Sequence, residues 1–480
     1  MTALVDIIVE KNHHKPKIKE MKPTKSRSNV LLISIVAATG GLLFGFDTGV
    51  ISGALPFMKE YWQLSDASME WVTTTVLIGA VLGAIASGKL SDYLGRKKMI
   101  IINAVIFAIG AVGCTYANSI MFLMWMRVVI GIAIGITSFV VPMYIAEIAP
   151  TRRRGAMVTL NQLMITIGIL VSYITDYWLG NDADLESWRW MFFVGLFPAL
   201  ILLVGMFFLP ETPRWLISKN RWAEGEAVLN KVEDPDLIAQ TLADLKRDIE
   251  LTENNQTSSA EILKPWLRPA LIITIGIFFF QQFSGVNTII YYSPIIFKMA
   301  GIVSNTASIV PAIIIGTVNV LACFVSVVLL DKVGRRKLYM IGIWGMIPSL
   351  ALLGACFHFK EALGASLPIF AVLSIVCYII FIAISLAPLG WLLISEVFPL
   401  NVRGVGMSIG SLAHWGFNAI IAFTFFKLVN SFGVSATFFL YSGICFLGML
   451  WGRHYIPETK GKSLEEIEEH WRKGGSPRDL

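Results

Sequence analysis

Glu147-Ile-Ala-Pro-Thr-Arg-Arg-Arg-Gly155 returns as Glu396-Val-Phe-Pro-Leu-Asn-Val-Arg-Gly404, so Glu147, Pro150, Arg154 and Gly155 recur at Glu396, Pro399, Arg403 and Gly404 with a single offset of 249 residues. A second pair, Asp92-Tyr-Leu-Gly-Arg-Lys97 and Asp331-Lys-Val-Gly-Arg-Arg336, repeats at an offset of 239, and Pro210-Glu211-Thr212 reappears as Pro457-Glu458-Thr459. The chain is two similar halves.

The composition says what the halves are made of. Hydrophobic residues make up 55% and charged residues 15%, in long apolar runs, which is the demand of a bilayer interior rather than of a soluble core. Twelve runs are long enough to span, at 30–56, 70–90, 99–117, 120–143, 156–178, 189–209, 270–297, 306–330, 338–358, 367–394, 405–428 and 434–456. Backbone polar groups in lipid must be satisfied within the segment, and alternating strand patterns are absent, so these runs are read as helices. The expected architecture is an all-α membrane protein of two six-helix bundles, at 30–209 and 269–456. A helical linker at 210–268 joins them, and tails at 1–29 and 457–480 flank them.

Charge sets the orientation. Of 39 Lys and Arg, 33 fall in the two tails and every second loop, while the opposite loops hold only Lys59, Lys298, Lys360 and Lys427. The positive-inside rule puts both tails in the cytoplasm. The net charge of +6 is then a topology signal and gives no support for nucleic-acid binding, because no basic stripe is interleaved with exposed aromatics. The first 29 residues lack an apolar core, so they do not read as a secretory signal. The five cysteines lie within spans without metal-ligand spacing. Asn255-Gln256-Thr257 fits a glycosylation acceptor but lies on the cytoplasmic side. In the linker, Ile238, Leu242, Leu245 and Ile249 mark an amphipathic helix, a second is expected around Trp222 to Lys231, and Ser463 reads as an N-cap after the last span.

Ionisable residues inside spans are costly, and so they point to function. Asp47 in the first span and Arg127 in the fourth are expected to pair, either as a proton-coupling site or as a static tie between helices. Asp176 and His414 are weaker candidates. The paired motifs put Arg96, Glu147, Arg154, Glu211, Arg214, Arg335, Glu396 and Arg403 at cytoplasmic helix ends, as a network that biases a rocking equilibrium or only sets topology. Neutral amides and aromatics predominate elsewhere: Gln162, Gln281, Gln282, Asn287, Asn319, Trp391 and Asn418. Amides donate and accept at once, and a tryptophan face covers the apolar side of a sugar ring, so the expected cargo is a neutral polyol or sugar.

Five strings resemble the sugar porters of the major facilitator superfamily: Gly95-Arg-Lys-Lys98, Pro142-Met-Tyr-Ile-Ala-Glu-Ile-Ala-Pro-Thr-Arg-Arg-Arg-Gly155, Pro210-Glu-Thr-Pro-Arg214, Gln281-Gln-Phe-Ser-Gly-Val-Asn287 and Pro457-Glu-Thr-Lys-Gly461. The resemblance implies alternating access between two six-helix domains, with a monosaccharide held by Gln162, Gln281, Gln282, Asn287, Asn319 and Trp391. It adds Phe44, Tyr292, His414 and Trp415 as neighbours. It places Asp47 and Arg127 where proton symporters of that family keep their coupling pair, with the proton as coupling ion and no other cofactor or metal. Two departures stand out: Ala387-Pro388 replaces the family's Gly-Pro, and His414 takes a position usually held by Gln or Asn. Ile169, where pentose-specific relatives carry a polar residue, leans towards a hexose such as glucose. The expectation is a monomeric proton-coupled importer of monosaccharide in a cell membrane, bacterial by its short loops. The alternatives are a passive uniporter, a pentose or inositol symporter and a sugar-sensing receptor. No catalytic constellation suggests an enzyme.

Overall fold

The computed structural model describes residues 25–150, 154–233, 235–254, 259–399 and 402–480, and the side chains of 25–29, 154–156, 248–254, 259–260 and Asp331 lie outside that description. Arg154 of the expected network and the 255–257 acceptor therefore fall outside the described side chains. Among the described residues every regular element is a helix, apart from one isolated antiparallel bridge between Asn181 and Asp184.

Eleven helical stretches are long and apolar enough to cross a membrane, and the last of them, Arg403–Tyr455, contains two spans. Gly433, at φ 85° and ψ 160°, leaves helical geometry in its middle, which brings the spans to twelve. The first helix, Lys25–Tyr61, is longer than the apolar run at either end. The runs at 270–297 and 367–394 each prove to be two pieces: Arg268–Phe283 with Val286–Met299, and Leu367–Ile384 with Leu386–Val397. Hydropathy does not see such breaks, because the residues around them remain apolar.

The amino half is assembled through glycine. Helices in lipid gain little from hydrophobic burial against one another, so close backbone approach supplies the packing. Gly41, Gly45, Gly49 and Gly53 recur every fourth residue along one face of the first span, against the fifth. A Cβ at Gly45 would lie 1.9 Å from the Ile165 carbonyl oxygen. Gly79 and Gly83 of the second span face Gly131 and Gly135 of the fourth in the same way, with each Cβ site within 2.2 Å of a backbone oxygen. Asp47 and Arg127 are carried by these glycine-packed spans, which hold them in register. The outward faces bear Trp125, Trp178, Phe208, Leu321 and Leu447, all more than half exposed, as a lipid-facing surface requires.

The linker carries the helices Trp222–Val232 and Ile238–Asn254 where their periodicity places them. Ser463 caps Leu464–Arg472 in a capping box with Glu466. Trp471 of that last helix donates to the Val397 carbonyl at 3.0 Å and shares an apolar cluster with Ile262, Leu267 and Phe398, so the helix is docked on the carboxyl half.

Candidate functional site

At the end of the bundle that carries most of the Lys and Arg, the repeated motifs build one device twice. Gly95 and Gly334 precede the third and ninth spans with φ 95° and 94°, and neither brings a side-chain cap. The cap comes from far along the chain. Glu211 accepts from the backbone N–H of Arg96, Lys97 and Thr212 at 3.1, 3.1 and 2.9 Å; Glu458 accepts from Arg335 N–H at 2.8 Å. Carboxylates are favoured at these positive helix ends. Glycine is required because a Cβ would lie 2.3 Å from Glu211 Oε2, or 2.5 Å from Glu458 Oε2. Burial pushes the Glu211 carboxyl above its usual 4.5, against the pull of those N–H donors.

Around each cap an arginine reaches the second acid of its own half. Arg96 Nε lies 3.2 Å from Glu147 and its Nη2 3.1 Å from Asp92, and Arg335 Nη2 lies 2.8 Å from Glu396. Thr212 donates to Glu147 and Thr459 to Glu396, both at 2.5 Å. Arg214 is exposed and Arg403 half-buried at the same end. Each of these ion pairs joins residues of one half. Glu458 was not among the residues expected in the network, although the repeated Pro-Glu-Thr string pairs it with Glu211.

The centre is built from the two broken spans. The seventh span stops at Ser284 and restarts after Gly285, whose φ of 84° is left-handed and whose Cβ would lie 2.5 Å from the Tyr441 ring. The tenth span breaks at Ser385. Pro388 then falls in the first turn of the new helix, where a missing N–H costs nothing. Between the breaks runs a chain of hydrogen bonds. Gln281 donates to the Leu386 carbonyl at 2.9 Å, Gln282 Nε2 donates to Gln281 Oε1 at 3.3 Å and pairs with His414 Nδ1 at 3.0 Å, and Asn287 donates to Gln282 Oε1 at 2.6 Å. Because a carbonyl at the far end accepts only, every amide in the chain has one orientation, and His414 keeps its proton on Nε2.

Aromatic rings continue from this chain towards the first span. Trp391 lies 5.2 Å from Phe278 and 5.1 Å from His414; Trp415 lies 5.1 Å from His414 and 5.3 Å from Phe44. Trp415 also lines a small cleft with Asp47, Thr48, Arg127 and Tyr291. In that cleft Arg127 Nη1 stands 3.6 Å from Asp47 Oδ1, and both side chains are at most 2% exposed. Arg127 Nε donates to the Val72 carbonyl at 2.7 Å, while Asp47 Oδ2 and both Nη atoms of Arg127 have no hydrogen-bond partner. The pair is buried yet loosely made, so the carboxylate keeps a free acceptor oxygen and the guanidinium keeps free donors.

Other expected residues sit differently. Tyr292 is fully buried, donates to the Ala422 carbonyl at 2.9 Å and stacks on Phe425, within the packing of the seventh and eleventh spans. Gln162 and Asn319 are half-buried on the fifth and eighth spans. Phe278 packs against Trp391 and His414 and Tyr291 lines the cleft; the sequence points to Tyr291 but not to Phe278. Tyr291, which accepts from Asn418 at 3.0 Å, was legible only as one polar side chain among several.

At the opposite end the halves meet in a seam with no signature in the sequence. Lys298 pairs with Glu60 at 2.9 Å. Asp182 accepts from the hydroxyls of Ser304 and Thr306 at 2.5 and 3.0 Å, and Glu70 accepts from Lys427 N–H at 3.1 Å. Asn430 donates to Asp66 at 3.0 Å. Ser52 meets Ser293 at 3.2 Å, and Tyr173 donates to the Ile290 carbonyl at 3.0 Å. In each acidic contact the acid belongs to the amino half and the donor to the carboxyl half.

The profile of the family described as "Sugar (and other) transporter" matches residues 33–471. The chain is 40% identical to the major myo-inositol transporter IolT of Bacillus subtilis, with 92% of this chain and 94% of that protein covered. It is 37% identical to the galactose-proton symporter of Escherichia coli, over 95% and 98%. Among solved structures, the partially occluded inward open conformation of the xylose transporter XylE from E. coli matches with a TM-score of 0.79 and 29% identity, covering 91% of this chain and all of that one. These relatives are transporters rather than enzymes. Twelve spans in two similar halves, with motifs and relatives matched along nearly the whole length, make this chain a member of the sugar porter family of the major facilitator superfamily.

Proposed function

We propose that the protein imports a neutral monosaccharide, a hexose such as glucose, together with protons by alternating access of its two halves. The observation that carries this reading is Asp47 and Arg127, buried and 3.6 Å apart in the cleft that Trp415 and Tyr291 also line. A charge pair in that position exchanges its counter-ion for a proton only if the cleft is wetted from one side at a time, which is what alternating access provides. Gln281, Gln282, Asn287, Trp391 and His414 converge between the broken spans, with Gln162 and Asn319 on the neighbouring fifth and eighth. These neutral amides and aromatic faces suit hydroxyls and a ring, and a charged solute would leave them unmatched. Ile169, 5% exposed, offers no polar group of the pentose-specific kind.

In this reading the basic end faces the cytoplasm and the acid-and-donor seam closes the extracellular side. The charge modules lie within halves and hold each bundle's cytoplasmic helix ends together as it rocks. Proteoliposomes under an inward proton gradient test the proposal. They should accumulate labelled sugar, and Asp47→Asn should abolish accumulation while sugar exchange persists. Accumulation by that variant would remove Asp47 as the coupling group, and uptake indifferent to a protonophore would make the protein a passive carrier.

A further inference from the structure

Asp176, near the extracellular end of the fifth span, has no part in the chemistry above, yet it is completely buried. Neither of its oxygens makes a hydrogen bond. The backbone N–H of Gly53 approaches it, and the glycine makes that proximity possible: a Cβ at residue 53 would lie 2.4 Å from Asp176 Oδ2. No cation faces it. The first span presents Ser52, Gly53 and Phe57; the fifth contributes Tyr173, whose hydroxyl is committed to the Ile290 carbonyl of the seventh. On the seventh and eighth spans the uncharged Ser293 meets Ser52 and the uncharged Thr306 lies beside Gly180. Asp182, in the following turn, is held by Ser304 and Thr306, and Lys298 is taken by Glu60 and Asn305.

A carboxylate without a partner in such surroundings is far costlier than the neutral acid. The contacts that close this end, Ser52 with Ser293, Tyr173 with the Ile290 carbonyl and Asp182 with Ser304 and Thr306, are made by residues on the elements around this carboxyl. We propose that Asp176 is a second proton-binding site, separate from the Asp47–Arg127 pair, which holds a proton while the extracellular seam is shut and releases it to water when the seam opens. The O–H bond breaks, the proton goes to the outside solution and the carboxylate becomes hydrated. The proton thus acts as a ligand of the closed state, and alkaline external pH favours the open one. The inference rests on the alternating-access reading but not on Asp47 as coupling group.

The test is labelling of Ser293→Cys from outside by a membrane-impermeant thiol reagent. Labelling is normalised to the same thiol in denatured protein at each pH, with the parent lacking that cysteine subtracted. In an Asp47→Asn background, normalised labelling should rise several-fold from acidic to alkaline pH. Adding Asp176→Asn should flatten the curve at its acidic level, and Asp176→Glu, which keeps the acid, should restore a response with a displaced midpoint. An unchanged pH response in Asp176→Asn overturns the proposal. If that variant does not fold, an unshifted midpoint in Asp176→Glu overturns it. So does the absence, in the Asp47→Asn protein, of any infrared carbonyl band of a protonated carboxylic acid. Flattening at Asp176 with gradient-driven accumulation lost in Asp47→Asn supports both readings. A failure at Asp176 with accumulation intact leaves the transport reading standing.

Discussion

Replacing Gly95 by alanine should damage the amino half through two effects that the structure separates. At φ 95° and ψ 156° the residue occupies a region essentially reserved for glycine, so a Cβ there costs on the order of 1–3 kcal/mol in backbone strain. The same Cβ would lie 2.3 Å from Glu211 Oε2. That pushes the carboxylate off three N–H donors and forfeits a helix cap of about 1–2 kcal/mol. Together these come to roughly 2–5 kcal/mol, and at about 3 °C per kcal/mol for a domain the size of one half the melting temperature in detergent should fall by roughly 10 °C. Glu211→Ala loses the cap alone and should fall by roughly 3–6 °C on the same scale. In the double variant no carboxylate remains to be displaced, so the two effects should sum to less than their separate values. The assay is thermal unfolding followed by tryptophan fluorescence. Full additivity, or a Gly95→Ala protein melting within about 2 °C of the parent on that scale, refutes the reasoning.

The same cap makes a pH prediction. The Glu211 carboxyl is raised by burial in the folded protein, so the folded state holds its proton longer than the unfolded one. Its contribution is complete below the unfolded value near 4.5 and declines as pH rises through the higher folded value. Unfolding measured across that window should show a downward slope that Glu211→Gln removes. At the centre, Gln282→Leu strands the Asn287 amide and His414 Nδ1, at a cost of about 1–3 kcal/mol. Equilibrium binding of the transported sugar should weaken roughly 10- to 100-fold, while unchanged affinity would take Gln282 out of the sugar site.

Much of this was legible before any coordinates. Composition and run length dictate twelve spans, because a bilayer allows few other solutions. The linker helices and the Ser463 cap follow from periodicity and local hydrogen bonding. The duplicated motifs announce paired devices, and Asp47 and Arg127 stand out because ionisable residues inside apolar runs are rare. What went unseen has a common character. The breaks at Ser284 and Ser385, and the turn at Gly433 that splits one 53-residue helix into two spans, leave hydropathy unchanged. Tyr292, expected near the sugar, is consumed by packing against Phe425.

The chain by itself determined what lies along one helix or within one motif: which segments enter the membrane, which end is basic, and which polar side chains are too expensive to be there without purpose. Tertiary structure alone decided which of these meet. That Glu211 caps a helix 115 residues earlier, that three amides and a histidine share one hydrogen-bond direction, that acids of one half find donors of the other, and that Asp176 finds no cation among the described residues are all matters of distance between remote segments. Local propensity carries no information about such distances, because they are set by how closely glycine-lined backbones approach when the helices pack.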